Sequence, residues 1–317
     1  MGRIIDEYVL INGVEHYFLH NPSESDEVLL YLHGGPGETA MYFNSIVAPY
    51  FEPYAKLIFY DQRGTGRTRL KMKPEDKATV TTKQLLADLH EVVLYLCQHY
   101  QVERIGLIGH SWGSVLGTLY VKEHPQRIRY YIGIGQVIDM QENERVGFEK
   151  LGEKIKEAKN QKDADAYEKL KPYPKPVFVN IEDWMSGISA VRKLQGKYGL
   201  AVKVGLPLIW KALTCRYTSN KITLDVKGTA AFNENLVRDL YSYSLYKLSR
   251  EYAVPIYYLL GKKDFQTPYT IAEKYFETIE APAKKVFYIV GAGHMGPVEK
   301  PAEYRDIIAE IIKENHH

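Results

Sequence analysis

Residues 104–117 read RIGLIGHSWGSVLG. Arg104 to Ile108 is an apolar run of the kind that forms a buried parallel strand, and Trp112 to Glu123 carries a helical pattern that Pro125 closes. Between them stands Gly109-His110-Ser111-Trp112-Gly113, a G-x-S-x-G turn in the strand–turn–helix context that this motif requires. So sharp a turn strains the serine backbone, and strand and helix can approach only if the residues two positions away are small. Gly109 and Gly113 meet that need. Ser111 is then expected to project its hydroxyl above the carboxyl edge of a sheet, where open α/β folds bind their ligands.

Working outward, residues 7–19 predict two short alternating strands around Asn12-Gly13, a dipeptide suited to a tight hairpin turn. Further buried strands are expected at Val28–Leu32, Lys56–Tyr60, Tyr130–Ile134, Pro255–Leu260 and Lys285–Val290, with a helix over Thr82–His99. Strands alternating with helices predict an α/β fold with a mostly parallel central sheet and helices on both faces. The alternation stops between Gln136 and Leu248, which reads as an inserted helical cap; residues 1–135 and 249–317 then form the core and 136–248 the insertion. Charges interleaved from Lys150 to Leu170 predict solvated helix, and Lys171-Pro172-Tyr173-Pro174-Lys175-Pro176 predicts a connector that no helix crosses.

A serine hydroxyl becomes a useful nucleophile only when a base takes its proton, and histidine suits that task near neutral pH. His294 is the candidate, in Gly291-Ala292-Gly293-His294-Met295-Gly296-Pro297 directly after the last apolar strand. His16, His20, His90, His99 and His124 fall on strand ends or helix surfaces and read as packed or solvated. The acid that orients the imidazole should lie between serine and histidine in chain order, after another strand. Asp264 fits; taken alone it reads equally well as a turn residue or N-cap before Thr267-Pro268, and the order Ser111, Asp264, His294 at three strand exits favours the triad. Asp225 and Asp239 lie in cap-like sequence. For the oxyanion of acyl transfer, the amides of Gly35 and Trp112 are the candidates, with a bare turn the equal alternative for the glycines of His33-Gly34-Gly35-Pro36-Gly37.

Composition narrows the partners. The 317 residues are 45% apolar and 25% charged with a formal net charge of +2, and both signs are mixed along the chain, so neither nucleic acid nor an anionic membrane is an expected partner. No segment approaches the roughly 18 uninterrupted apolar residues of a membrane span, and acidic residues occupy the start where a signal peptide would be apolar, so a cytoplasmic location is the default. Cys97 and Cys215 have no metal or redox spacing, and no nucleotide-binding glycine pattern occurs. Neither metal nor cofactor is expected. The His316-His317 pair is set aside as uninformative.

His33-Gly34-Gly35-Pro36-Gly37, Asp61-Gln62-Arg63-Gly64-Thr65-Gly66-Arg67-Thr68 and Gly109-His110-Ser111-Trp112-Gly113-Ser114 together resemble the prolyl iminopeptidases and their α/β-hydrolase relatives. The resemblance implies the α/β-hydrolase fold, a Ser–His–Asp triad at Ser111, His294 and Asp264, and an acyl-enzyme route. It also implies cleavage of an amino-terminal proline, or another small or apolar residue, from a small peptide, amide or ester. Two departures bear on substrate. Position 110 is histidine where the peptidases usually carry glycine, and Gly-His-Ser is shared with lipases and esterases. The tryptophan–glutamate pattern of the peptidase cap, whose carboxylates grip the free amino group, is missing; that role could fall to Glu142, Glu144, Glu182, Asp183 or Glu234, although each taken alone reads first as a solvated surface acid. A carboxylesterase of small acyl esters is therefore the alternative, and a non-catalytic ligand receptor the remote one. Asp61 and Arg63 read as loop braces, and most of the cap aromatics Phe148, Trp184, Trp210, Phe232 and Tyr243 as helix packing.

Overall fold

The computed structural model describes residues 2–202 and 206–316, so His317 of the terminal pair lies outside the described residues. β1 (Ile5–Ile11) and β2 (Val14–His20) form the antiparallel hairpin. Asn12 and Gly13 both have positive φ, 46° and 78°, the backbone that a two-residue turn between right-twisting strands requires.

Six strands follow: β3 (Val28–Leu32), β4 (Lys56–Tyr60), β5 (Ile105–His110), β6 (Ile128–Ile134), β7 (Ile256–Gly261) and β8 (Lys284–Ile289). With the hairpin they make one sheet in the order β1-β2-β4-β3-β5-β6-β7-β8. β2 meets β4 antiparallel, and every pairing from β4 to β8 is parallel. β3, β5 and β7 are buried along their whole length, which is why they read as unbroken apolar runs. β8 is the exception at the edge, where exposed Lys284 and Lys285 discourage pairing with another chain.

Alternate residues serve the two faces. Leu30 and Leu107 pack under the helices Thr82–Tyr100 and Trp112–Glu123, while Leu29 and Ile108 pack under Asn44–Phe51 and Pro301–Glu314. The helix Thr82–Tyr100 begins where the Thr81 hydroxyl accepts the Gln84 amide hydrogen at 3.2 Å and ends at Gln101, whose φ is 57°. Its inward stripe is Leu85, Leu89, Val92, Val93 and Leu96, and each such side chain fully buried contributes about 1.5–3 kcal/mol.

Between β6 and β7 the described residues hold helices joined by turns and irregular connectors, and isolated bridges join Asp139 to Ser244 and Glu251 to Glu280. The interleaved charges of residues 150–170 fall on two helices, Met140–Ala158 and Gln161–Glu168, separated where Lys159 turns left-handed and the Asn160 side chain caps the second. Their ion pairs, such as Lys150–Glu153 at 2.7 Å, lie in solvent and add little stability. A separate apolar cluster of Phe148, Leu151, Ile155, Val191 and Leu200 joins Met140–Ala158 to Ile181–Lys197.

Candidate active site

The turn after β5 places Ser111 at φ 54° and ψ −122°, a conformation that few residues other than glycine adopt. Neighbours hold it there. Its amide donates to the Ile134 carbonyl at 2.9 Å, and its carbonyl accepts from the Ser114 hydroxyl at 2.6 Å, which in turn accepts the Val137 amide at 3.0 Å. The small flanking residues are needed for space. A β-carbon on Gly109 would lie 2.6 Å from the Gly113 carbonyl oxygen, and one on Gly113 would lie 2.1 Å from the Leu32 carbonyl oxygen.

Loops after β5, β7 and β8 converge on one edge of the sheet. His294 Nε2 lies 3.1 Å from Ser111 Oγ, and His294 Nδ1 lies 2.9 Å from Asp264 Oδ2. The carboxylate is further held by Thr267, whose hydroxyl donates to Oδ2 at 2.8 Å, and by the amides of Gln266 and Thr267, which donate to Oδ1 at 3.0 and 2.9 Å. Burial raises the Asp264 pKa, but the charge and hydrogen bond of His294 and the donors of Thr267 outweigh it and hold the carboxyl below its usual range. Asp264 therefore stays ionised, and an anion at Nδ1 keeps that proton in place and leaves Nε2 free to accept the serine proton.

Two residues support His294 that the sequence did not single out for it. His110 Nε2 lies 2.8 Å from the His294 carbonyl oxygen, and burial pushes the His110 imidazole down to about 4, with His294 adding to the effect. At neutral pH His110 is thus an uncharged donor that ties the His294 backbone to the end of β5. On the other side, the Glu299 carboxylate accepts the Gly293 amide hydrogen at 2.6 Å.

The loop after β3 passes against the serine. A β-carbon on Gly34 would stand 3.3 Å from Ser111 Cβ and 3.7 Å from its Oγ. Gly35 follows at φ 124°, a glycine conformation, and the Trp112 amide opens the helix Trp112–Glu123, where no intrahelical acceptor exists for it. His33 Nδ1 donates to the Gly34 carbonyl at 2.8 Å and Nε2 accepts the Gln62 amide at 3.2 Å, while Gln62 Oε1 accepts from Trp112 Nε1 at 3.0 Å. Burial pushes His33 down to about 4, so it remains neutral in this network. Asp61 accepts from the Thr39 hydroxyl and the Arg67 amide, and Arg63 makes a buried two-pronged pair with Asp88 at 2.6 and 3.0 Å. Both brace loops.

The five cap acids are scattered. Glu144 is buried and bound to Arg192 and the Tyr173 hydroxyl. Asp183 pairs with Lys175, Glu234 lies 3.6 Å from Lys77 and 3.5 Å from Arg238, and Glu142 accepts from the Tyr246 hydroxyl at 2.9 Å. Glu182 is exposed on the first turn of its helix. Among the described residues no hydrogen bond or ion pair joins any of the five to Ser111, Asp264 or His294. A small cleft of about 70 Å³ walled by Glu144, Tyr173, Asp183 and Trp184 includes none of those three. Of the cap aromatics, Phe148 stacks on Tyr167 at 4.2 Å and Trp210 is 70% exposed, so neither lines that cleft. Residues from the stretch between β6 and β7 do hold the Asp264 loop: Asn143 Nδ2 donates to the Gln266 carbonyl at 2.9 Å, and the Phe265 amide donates to the Leu200 carbonyl at 2.9 Å.

Among the described residues no cluster of histidine, cysteine or acidic side chains is arranged to hold a metal ion, and no helix is long and apolar enough to cross a membrane. The chain is similar to the "Probable aminopeptidase YbaC" of Bacillus subtilis, 25% identical over 318 residues that cover 98% of this chain and 93% of that protein. It is also similar to the "Probable proline iminopeptidase" of Streptomyces coelicolor, 39% identical over 108 residues, 33% of this chain and 31% of that protein. The crystal structure of a proline iminopeptidase-related protein from Thermus thermophilus superposes with a TM-score of 0.69 over 99% of both chains at 22% identity, a likeness of fold. Residues 27–301 match the family described as alpha/beta hydrolase fold, and with that span and this sheet the chain belongs to the α/β-hydrolase family.

Proposed function

We propose that this hydrolase is a serine aminopeptidase that removes an amino-terminal proline, or another small or apolar residue, from small peptides and amides. The observation that carries the reading is the continuous chain Ser111–His294–Asp264, at 3.1 and 2.9 Å. In it, Ser111 Oγ attacks the scissile carbonyl while His294 Nε2 takes its proton. The oxyanion faces the Gly35 and Trp112 amides, and the leaving amine departs with the proton from His294. Water then adds to the acyl-enzyme by the same base and releases the acid. Residues 136–248 act as the cap over this centre. The relatives named as aminopeptidases support the choice of bond.

The engagement of Glu144 with Arg192 and of Asp183 with Lys175 favours a second reading, a carboxylesterase whose acyl group carries no charge. Proline and alanine amides, free and amino-blocked, assayed beside short acyl esters separate the two. Turnover of the unblocked amides alone is the expected result; ester turnover without amide turnover would replace the aminopeptidase by the esterase.

Thr267→Val tests the hydrogen bonding around the acid on whichever substrate is turned over. It keeps the buried volume and removes the donor to Asp264, so kcat is expected to fall about tenfold, about 1.4 kcal/mol of transition-state stabilisation, with little change in KM. An unchanged kcat would remove Thr267 from the machinery.

A further inference from the structure

Glu38 is a carboxylate that the fold does not use. It follows His33-Gly34-Gly35-Pro36-Gly37, and the residues after it brace the loop instead: Thr39 donates to Asp61 and accepts the Met41 amide. Solvent reaches the Glu38 side chain, yet enough protein surrounds it that desolvation raises its pKa, and the charge acting against that is His294. Burial raises the pKa of Tyr42, and the negative charge of Glu38 adds to that rise. Among the described residues no lysine or arginine pairs with it. A carboxylate exposed at the site with no cation beside it is open to a charge-assisted hydrogen bond from a cationic ligand.

Its position says which cation. Gly34 packs against Ser111, with a β-carbon there falling 3.7 Å from Oγ. The chain then doubles back, so that a β-carbon on Gly35 would lie 2.9 Å from the Glu38 amide nitrogen and 3.6 Å from Glu38 Cβ. One short turn thus carries both the amide offered to the oxyanion and the free carboxylate. In an aminoacyl group the amino nitrogen is two bonds from the carbonyl carbon, so the two ends of that group need an oxyanion donor and an anion side by side. A ligand with a free carboxylate at the same place would be repelled.

We propose that Glu38, on the loop after β3, is the anchor for the protonated α-amino or imino group of the substrate, in place of the acids of the cap. The assignment rests on the aminopeptidase reading for its substrate class and deepens it by naming the group that selects a free amino terminus.

The test is binding to the Ser111→Ala protein, with and without Glu38→Gln, using prolinamide and N-acetylprolinamide as probes in titration calorimetry. A charge-assisted hydrogen bond corresponds to about ten- to hundredfold in affinity. Prolinamide is therefore expected to bind Ser111→Ala more tightly than its acetylated analogue, and Glu38→Gln is expected to abolish at least tenfold of that preference. Equal preference with and without Glu38, or no preference at all, would overturn the assignment. Glu38→Asp, which keeps the charge on a shorter stem, is expected to retain part of the preference, and a melting temperature near that of the parent excludes a folding defect. Turnover of free and blocked amides by the unmodified protein is measured separately. Amine binding that depends on Glu38 without amide turnover would overturn the catalytic reading alone, and amide turnover with no Glu38 dependence would overturn the anchor alone.

Discussion

Ser111→Ala is expected to lower kcat by roughly ten-thousandfold or more while the melting temperature stays within about 3 °C of the parent. The substitution removes one hydroxyl whose hydrogen bond is to His294 Nε2, and leaves in place the Ser111 amide and carbonyl bonds that hold the turn. Alanine at φ 54° carries the same β-carbon as serine, so the strain already present is unchanged. The loss should be matched in part by Asp264→Asn, at roughly a thousandfold to ten-thousandfold, because an amide facing Nδ1 favours the tautomer whose Nε2 is already protonated and cannot take the serine proton. The two effects should not add. A Ser111→Ala, Asp264→Asn double variant is expected to be no slower than Ser111→Ala, since the acid acts only through a base that then has no nucleophile to activate. Parent-like turnover in Ser111→Ala would move the nucleophile elsewhere, and full additivity in the double variant would mean that Asp264 acts on something other than His294.

How much of this was legible depends on whether the relevant contact is local. β3 and β4 begin and end where their apolar runs do, because a strand buried on both faces has no other way to be written. The turn Gly109–Gly113 was legible for the same reason: its steric demand falls on residues within the pentapeptide and on the strand beside it. The break at Lys159 had a signal in Asn160, a strong helix cap set inside a charged run, which charge periodicity alone passes over. Long-range pairings left no such trace. Glu144 reads as one surface acid among many until the fold brings Arg192 and Tyr173 to it, 48 and 29 residues away in sequence. His110 reads as a departure from a family pattern, and only the return of the chain after β8 shows its ring meeting the His294 carbonyl. Glu38 escapes a reading that stops at Gly37 with the glycines, although a charged residue at the end of a loop that approaches the nucleophile is itself a signal.

Gly113→Ala should be strongly damaging, since it acts at a place where helix and sheet have no room to part. The added carbon would lie 2.1 Å from the Leu32 carbonyl oxygen, 2.6 Å from the Leu32 carbonyl carbon and 2.8 Å from the His33 carbonyl oxygen. All three are backbone atoms, so no rotamer change relieves the contact. Either the helix Trp112–Glu123 lifts away from β3, or β3 shifts in a sheet where it pairs with β4 on one side and β5 on the other. Each route loosens buried packing along the central strands, and the expected destabilisation exceeds about 4 kcal/mol, enough to lower the melting temperature by about 10 °C or to leave little soluble protein. Gly187→Ala is the matched control. It lies inside the helix Ile181–Lys197, and its added carbon would meet only the Tyr173 ring at 3.8 Å, so alanine's better helix propensity should leave stability unchanged or raised by up to about 1 kcal/mol. Thermal melts of the two variants beside the parent decide the matter, and a Gly113→Ala protein that melts with the parent would mean that the turn presenting Ser111 has slack. Any slack there would be passed to the oxyanion side as well, because the Leu32–His33 backbone that the new carbon strikes leads directly into Gly34 and Gly35. The glycine that makes room for the serine turn therefore also fixes the distance between the nucleophile and the loop that carries Glu38.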